Sequence, residues 1–291
     1  MNIEKKEIKT ESIVYKPSSP FLATVLENNR ITPNNATSDV HHLVFDISGS
    51  NINYLEGQSI GVVPPGTDES GKNHRVRLYS ISSPREGEKI LNSVALTVKR
   101  VIFSDSDNKE IKGVASNYIC DLKKGDKVNI TGPVGRTFML PEDDQTDIIM
   151  VAVGTGIAPF RAFIKYMYEV KKGWKGKVLL FYGTKTALDA LYMNDENNDI
   201  GQYYDQKTFL AFTALSQEGK KEYIQEKIKD NRTLIWNILM ENNFMFYICG
   251  IKGMEEGIEA IMKDLASSRG QNWDELRSRY KAEHKWHLEV Y

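Results

Sequence analysis

A Gly-Thr-Gly sequence at 154–156 follows an apolar run and precedes a segment that can form a helix. Glycine lets a backbone approach a ligand closely, and the first amides of a helix attract phosphate groups. The motif is therefore a candidate site for the pyrophosphate of a dinucleotide. Pro159 stands where the GxGxxG fingerprint has its third glycine, although proline is a favoured start of a helix. An ordinary turn between a strand and a helix explains the two glycines equally well.

A second candidate site is Arg77-Leu78-Tyr79-Ser80, at the end of a predicted strand. Side chains alternate along a strand, so Arg77 and Tyr79 share one face while Ser80 points elsewhere. The guanidinium can bind a phosphate through two hydrogen bonds, the phenol can cover an aromatic ring, and the serine can donate or accept a proton. The alternative to a binding site is an ordinary surface strand with a solvated arginine and a core tyrosine. Judged on these four residues alone, that alternative is favoured.

The elements that must position these residues differ between the two halves of the chain. Short β-rich runs bounded by turn residues predict antiparallel strands that close into a small barrel. Long apolar strands then alternate with helices, which is typical of a doubly wound parallel sheet. The strands predicted in the first half are 21–26, 43–47, 59–63, 76–81, 94–101 and 127–131. Those of the second half are 148–153, 178–182, 208–214 and 245–249, with helices at 159–171, 220–229, 233–242, 252–267 and 273–281.

Length and composition favour two folded domains. The chain has 291 residues, of which 41% are hydrophobic and 26% charged. A polar segment at 141–146 separates the two patterns. We therefore predict a polar N-terminal extension at 1–19, a β-barrel domain at 20–141 and an α/β domain at 147–291.

Several classes of protein are excluded by charge and cysteine content. The net charge of -1 gives no field that would favour nucleic acid or an anionic membrane. No apolar run reaches the roughly 18 residues that span a bilayer, and the N-terminus lacks the features of a signal peptide. Two cysteines, Cys120 and Cys249, are too few for a disulfide scaffold or a cysteine-based metal site. We expect no metal, and a cytoplasmic location or an organelle stroma.

Nine short motifs occur in order between Pro20 and the C-terminus. They are YLEGQSIGVVPPG (54–66), RLYSISS (77–83), LTVKR (96–100), KGVASNYICDL (112–122), ITGPVG (130–135), GTGIAPFRAF (154–163), YIQ (223–225), YICGIKGMEEGI (247–258) and WHLEVY (286–291). In these motifs the sequence resembles the plant-type ferredoxin–NADP+ reductases of plastids and cyanobacteria. The resemblance implies a six-stranded antiparallel FAD-binding barrel and a doubly wound NADP(H)-binding domain. It implies FAD-dependent electron transfer between NADP(H) and ferredoxin or flavodoxin.

The resemblance also implies a catalytic set of Ser80, Cys249, Glu289 and Tyr291. Tyr291 would cover the flavin face that the nicotinamide needs and so act as a gate. Glu289 and Ser80 would route a proton at the flavin edge, and Cys249 would lie beside the nicotinamide without becoming a nucleophile. The residues alone leave simpler alternatives. Tyr291 could belong to a frayed chain end, Glu289 could be a solvated surface residue, and Cys249 could be an ordinary buried thiol. The alternative functions are a flavin reductase that feeds an oxygenase and a non-catalytic FAD- or NADP-binding module, and the intact catalytic set argues against the module.

The resemblance places FAD on the barrel domain. Arg77 would bind its pyrophosphate, Tyr79 would stack on the isoalloxazine and Ser80 would form a hydrogen bond near N5. Phe103 stands where the family has a tyrosine on the adenine, and stacking survives the loss of the hydroxyl. The implied FAD set is Arg77, Leu78, Tyr79, Ser80, Thr97, Val98, Lys99, Phe103, Val114, Ala115, Ser116, Thr155 and Tyr291.

NADP(H) is implied at the carboxyl ends of the parallel strands, where cations and donors would recognise the 2′-phosphate. Gln217 departs from the family, which carries arginine there. The lost charge-assisted contact is worth roughly 1.5 to 3 kcal/mol, and Lys220 or Lys221 could offset it. The implied NADP set is Lys99, Thr155, Gly156, Thr184, Lys185, Ser216, Gln217, Lys221, Tyr223, Gln225, Gly250, Ile251 and Glu289.

A basic cluster beside the flavin strand predicts the docking surface for the carrier. Its cations are Lys72, Arg75, Lys99 and Arg100, together with His74. Opposite charge on ferredoxin or flavodoxin would accelerate encounter with this surface. A solvated charged face is the alternative, and we expect a monomer.

Overall fold

The computed structural model describes residues 13–195, 197–203 and 208–291; residues 1–12 of the predicted extension lie outside this part of the chain. The elements of the first half are β1 (Phe21–Arg30), β2 (Val40–Asp46), β3 (Ser59–Val63), β4 (Arg77–Ser80), β5 (Ser93–Lys99), β6 (Ile102–Ser104), β7 (Glu110–Lys112), α1 (Val114–Asp121) and β8 (Lys127–Val134). Six of these strands form one antiparallel sheet in the order β4-β3-β8-β1-β2-β5. We call the whole set the barrel unit.

The two edge strands of this sheet meet, because Ile81 forms an antiparallel bridge with Leu96. Alternate side chains fill the space that the strands enclose, and Leu43, Phe45 and Ile60 are completely buried there. The predicted barrel and its six strands are confirmed. The β6–β7 hairpin and α1 were not predicted from the sequence.

The second half contains a five-stranded sheet that is parallel throughout. Its elements are β9 (Asp147–Val153), α2 (Ile157–Lys165), β10 (Val178–Thr184), β11 (Phe209–Leu215), α3 (Ile224–Asp230), α4 (Arg232–Glu241), β12 (Phe244–Gly250), α5 (Met254–Ser267), α6 (Trp273–Ala282) and β13 (Trp286–Val290). The strand order is β11-β10-β9-β12-β13. A hydrophobic core lies on each face of the sheet, as expected for continuous apolar strands. We call this set the parallel unit, and it confirms the predicted α/β architecture.

The sheet order puts β9 between β10 and β12, whose connections run in opposite directions from it. Ligands of such sheets bind at the carboxyl ends of the strands beside this switch point. A 3-10 turn at Gly154–Gly156 joins β9 directly to α2 there. The local sequence thus delivers the glycine motif to the crevice.

Helix α2 also forms part of the contact between the two units. Its Arg161 is almost completely buried and donates hydrogen bonds to Ser82 and Glu88 of the barrel unit. Near the N-terminus, Tyr15 exchanges two backbone hydrogen bonds with Gly132, so the described part of the predicted extension pairs with the barrel. No helix in the described ranges is long and apolar enough to cross a membrane.

Candidate functional site

A cavity of about 730 Å³ opens beside β4 in the barrel unit. The loop between β3 and β4 forms one wall, and the first turn of α1 forms the other. The cavity brings together five residues of the implied FAD set, which are Arg77, Tyr79, Val114, Ala115 and Ser116. Leu78 and Ser80 do not line it, so the alternation predicted for this strand holds.

The cavity has the donors that a pyrophosphate needs. Arg77 is exposed at its wall, and no side chain caps the first turn of α1. Gly113 precedes that turn, and a Cβ there would lie 2.9 Å from Oγ of Ser116. A guanidinium and free helix amides on one cavity can hold a diphosphate from two sides.

Tyr79 offers the same cavity a flat, uncharged ring. Burial raises its pKa to about 12, so the phenol stays protonated at physiological pH. A neutral aromatic ring at the cavity wall is suited to stacking on another aromatic system.

Three other residues of the implied FAD set lie away from this cavity. Val98 is buried in the barrel core, and the Thr97 hydroxyl shares a hydrogen bond of 2.5 Å with Tyr192 of the parallel unit. Phe103 is exposed on β6, outside the cavity lining. The side chains of Thr97 and Val98 are therefore already engaged within the protein.

The predicted docking cluster is divided by the structure. Lys72, His74 and Arg75 line the first cavity, so they are placed to contact whatever fills it. The loop that carries them is held by Asp68, whose Oδ1 accepts hydrogen bonds from the amides of Ser70 and Lys72 at 2.9 and 3.0 Å. The basic residues in the sequence predict only a docking surface, because no local pattern shows that their loop also borders a cavity.

Arg100 does not form part of an open cationic surface. Its side chain is only 18% exposed and lies 2.8 Å from both Asp39 and Asp121. These carboxylates neutralise it, so its placement in a free docking surface is corrected. Lys99 points into a different cavity, described next.

A second cavity of about 590 Å³ lies at the carboxyl ends of the parallel strands. Nine residues of the implied NADP set line it: Lys99, Thr155, Thr184, Lys185, Ser216, Gln217, Tyr223, Gln225 and Ile251. Gly156, Lys221, Gly250 and Glu289 do not. Residues at or just after the ends of β9, β10, β11 and β12 therefore converge with Lys99 of the barrel unit on one space.

Two lysines from different units line this cavity, Lys99 and Lys185, and their charges interact. The pKa of Lys99 is lowered, first by burial and then by the nearby charge of Lys185, while Asp189 opposes the shift. Lys185 also accepts a backbone hydrogen bond of 2.8 Å from Gln217. Two close cations favour an anionic ligand, because an anion between them removes their mutual repulsion.

The chain end is tied down rather than frayed. The amide of Tyr291 donates to the carbonyl of Gly250 at 3.0 Å, and its carbonyl accepts from the amide of Lys252 at 3.4 Å. The Tyr291 hydroxyl shares a hydrogen bond of 2.6 Å with Thr155, yet the residue is 58% exposed. The ring is thus anchored at one end and open to a partner on its side.

Cys249 and Glu289 are register partners on β12 and β13. Cys249 is 1% exposed, and burial followed by the Glu289 charge raises the pKa of its thiol. Burial alone raises the pKa of Glu289 to about 7. Both groups are therefore largely uncharged below neutral pH, so Cys249 is not a thiolate nucleophile.

Gly156 explains why the glycine motif sits against β12. A Cβ at this position would lie 2.1 Å from the carbonyl oxygen of Cys249. Only glycine permits this approach of the 3-10 turn to the strand. Gly154, with φ 56°, has open space around it. The second glycine therefore serves packing, and the first allows the turn.

No group of three or more His, Cys, Asp or Glu side chains in residues 13–195, 197–203 and 208–291 is placed to hold a metal ion.

Two family models match the chain. They are described as an oxidoreductase FAD-binding domain, at residues 29–139, and an oxidoreductase NAD-binding domain, at residues 150–260. The cyanelle ferredoxin–NADP reductase of Cyanophora paradoxa is 42% identical over 96% of this chain and 78% of its own length. That of Spirulina sp. is 41% identical over 96% and 97%, and the chloroplastic enzyme of Spinacia oleracea is 39% identical over 99% and 81%. The chain belongs to the ferredoxin–NADP reductase family.

A solved structure supports the same assignment for the reductase fold. A mutant ferredoxin–NADP+ reductase of Plasmodium falciparum, in complex with 2′P-AMP, is 26% identical. It covers 95% of this chain and 98% of its own, with a TM-score of 0.75. The resemblance found in the sequence motifs is thereby confirmed.

The two cavities fit the two groups that the family models describe. The first offers a guanidinium, helix amides and a stacking ring, which match the pyrophosphate and rings of FAD. The second offers two lysines at the carboxyl edge of the parallel sheet, which match a nicotinamide dinucleotide. This reductase is an FAD- and NADP(H)-dependent oxidoreductase.

Glu289 should make the stability of the fold depend on pH. Its pKa is raised from 4.5 to about 7 in the folded chain, so the fold holds the proton more tightly and loses stability as pH rises through this interval. Glutamine does not titrate, so Glu289→Gln should not show this loss. We expect its free energy of unfolding, measured relative to wild type, to rise by roughly 2 to 3 kcal/mol from pH 4.5 to pH 8. Denaturant unfolding at several pH values measures this gain.

The exposed glutamate Glu256 on α5 provides the matched control. Glu256→Gln removes the same charge and should leave the pH profile of the wild type unchanged. A difference between Glu289→Gln and wild type that stays constant across this pH range would show that Glu289 is not buried as a neutral acid.

Proposed function

We propose that this chain transfers electrons between NADP(H) and a ferredoxin, with residues 20–141 holding FAD and residues 147–291 holding NADP(H). The observation that carries the proposal is the pair of cavities, one with Arg77 and Tyr79 and one with Thr155, Lys99 and Lys185. Bound FAD would accept a hydride and pass on single electrons. The residues of this chain would bind the two cofactors, orient them and supply protons.

Exposed apolar side chains at the first cavity and on the segments next to it support its assignment to FAD. Leu78, Val101, Ile102, Phe103 and Val114 are all more than two-fifths exposed, and Leu78, Ile102 and Phe103 lie outside the cavity lining. Val101 and Val114 also line the cavity. Such a cluster is unusual on a free surface, and a cofactor together with a docked carrier would cover it.

At the nicotinamide end, Tyr291 is the gate. It is hydrogen-bonded to Thr155, which lines the second cavity, so an incoming nucleotide meets this pair. Cys249 would lie beside the nicotinamide as a neutral thiol. Glu289 carries a proton near neutral pH and, with Ser80, supplies the proton route.

The central test is reduction of the purified holoprotein. NADPH should bleach its flavin absorbance, and cytochrome c reduction should then require added ferredoxin. Electron transfer to a carrier follows from the family, whose curated members are named ferredoxin–NADP reductases. Bleaching without any carrier-dependent cytochrome reduction would favour an oxygenase-type acceptor, and the absence of bleaching would contradict the proposed reaction.

We propose that Ser216, Gln217, Lys221, Tyr223 and Gln225 surround the 2′-phosphate. All of them except Lys221 line the second cavity, and Lys221 is adjacent to the lining residue Glu222. Because Gln217 supplies no charge, Gln217→Arg should tighten NADP+ binding about tenfold or more and leave NAD+ nearly unchanged. Titration calorimetry with both nucleotides measures this selectivity.

Lys221→Ala is the companion variant, and it should weaken NADP+ selectively. Equal effects of either substitution on NADP+ and NAD+ would show that these positions do not contact the 2′-phosphate.

Ferredoxin or flavodoxin docking at Lys72 and Arg75 is the remaining part of the proposal, for a monomer in the cytoplasm or an organelle stroma. Charge pairing across a transient interface mainly accelerates encounter. Reversal of both residues to Glu should therefore slow carrier reduction about tenfold at low salt and flatten its salt dependence. NADPH oxidation with a small artificial acceptor should change little.

Because Lys72 and Arg75 also line the first cavity, the assay is run with FAD in excess and flavin content is measured. The control reverses Lys263 on α5 and Arg269 in the turn after it, which changes net charge equally. If the artificial acceptor and the carrier lose equal rate in the Lys72 and Arg75 variant, these residues serve the cofactor and do not dock the carrier.

A further inference from the structure

We propose that Arg161 is a positioning residue for the reaction. It fixes the turn Gly154–Gly156 of the parallel unit, which we call the nucleotide turn, against the end of β4 in the barrel unit. The inference rests on the proposed function. It concerns a residue that touches neither cavity, and the contacts between the units carry it.

Arg161 makes four hydrogen bonds and is only 3% exposed. Within the parallel unit its Nε donates to Asp199 at 2.5 Å, and its guanidinium lies 4.7 Å from the centre of the Tyr192 ring. These contacts fix the direction of the side chain. The other two nitrogens are then aimed at the barrel unit.

On the barrel side, Nη1 donates to the carbonyl of Ser82 at 2.6 Å. Nη1 and Nη2 also donate to the two carboxylate oxygens of Glu88 at 2.9 and 2.8 Å. Burial would raise the pKa of Glu88, but hydrogen bonds with His42 and Arg161 outweigh it and hold the pKa well below its usual range. A two-point contact between charged groups fixes both distance and angle.

Tyr192 closes the network beside the arginine. Its hydroxyl lies 2.8 Å from Nδ1 of His42 and 2.5 Å from Oγ1 of Thr97, both in the barrel unit. Glu88 in turn lies 3.4 Å from Nε2 of His42. Arg161, Glu88, Tyr192 and Thr97 thus find polar partners across a buried contact, where an unpaired charge would be costly.

Arg161 and its partner Ser82 are each connected to a site residue through a short stretch of chain. Arg161 follows Thr155 by six residues through one continuous helical segment, which is roughly 9 Å at the usual rise. Ser82 follows Ser80 by two residues at the end of β4. A shift of the Arg161 contact is therefore transmitted through stiff backbone to both reacting sides.

A role in stability alone explains the network less well. Replacing a buried ion pair by apolar residues is often neutral or stabilising, so such pairs are weak contributors to folding free energy. Their directional geometry fixes one arrangement of the packed parts. A reaction between two bound groups is sensitive to such an arrangement, and a misplacement of about 1 Å can cost 100-fold in rate.

The experiment measures single-turnover reduction of the holoprotein by NADPH in Arg161→Gln, in Glu88→Gln and in the double variant. Each single variant should slow reduction at least tenfold. The double variant should be about as slow as either one, because both break the same contact. Affinity for 2′P-AMP, which lacks the nicotinamide, should stay within twofold, since Ser216, Gln217 and Tyr223 all belong to the parallel unit.

Amide hydrogen exchange supplies a readout that does not depend on activity. Protection should fall at residues 82–88 and 157–165 in the Arg161 and Glu88 variants. Arg277→Gln is the matched control, because it breaks an ion pair of 2.8 Å with Glu259 inside the parallel unit. It should change neither the reduction rate nor the exchange of those segments.

Tyr192→Phe keeps the inference testable if Arg161→Gln does not fold. It removes the hydroxyl that joins His42 and Thr97 and leaves no buried charge behind. It should slow reduction threefold or more with unchanged 2′P-AMP affinity. Wild-type reduction rates in the folded variants, or a loss of rate matched by an equal loss in Arg277→Gln, would overturn the role of Arg161. A wild type that NADPH fails to reduce would instead overturn the proposed function.

Discussion

The arrangement of the two units depends on a buried guanidinium whose counter-charges come from both units. Arg161 emerges from the helix that follows the nucleotide turn, and its partners Asp199 and Glu88 come from opposite sides of the contact. A charge that stays buried but loses its partner costs several kcal/mol, so sliding of one unit against the other within the closed contact is disfavoured. The relative position of the two cavities is a consequence of this constraint.

The distribution of charge between the cavities and the reacting centre follows a simple division. Cations stand where phosphates would lie, with Arg77 at the first cavity and Lys99 and Lys185 at the second. At the junction of β12 and β13, burial raises the pKa of both Cys249 and Glu289 and so disfavours their charged forms. Such a centre would suit hydride transfer in the proposed function, whereas the charged ends would supply binding energy and orientation.

Much of this arrangement could be predicted from local sequence, and the rest could not for physical reasons. Alternation and apolar runs give β4 and β9 directly, and the glycine motif lies where the strand rule puts it. The Arg161–Glu88 contact joins residues 73 positions apart, and only the packing of the units reveals it. Arg100 reads as a free cation in the sequence, since its neutralisation by Asp39 comes from a distant turn. Local pattern thus fixes elements, and tertiary contacts decide which charges remain available.

The terminal tyrosine combines firm anchorage with easy displacement. Its backbone is held by Gly250 and Lys252, so strand β13 need not unpair when the ring moves. Its side chain has one hydrogen bond, to Thr155, and such a bond contributes only about 1 kcal/mol net. Thr155 also lines the second cavity, so in the proposed function a bound nucleotide would compete with the ring for the same hydroxyl. Rotation about the side-chain bonds of Tyr291 would then be sufficient to open the site, and the same hydrogen bond would close it when the nucleotide leaves.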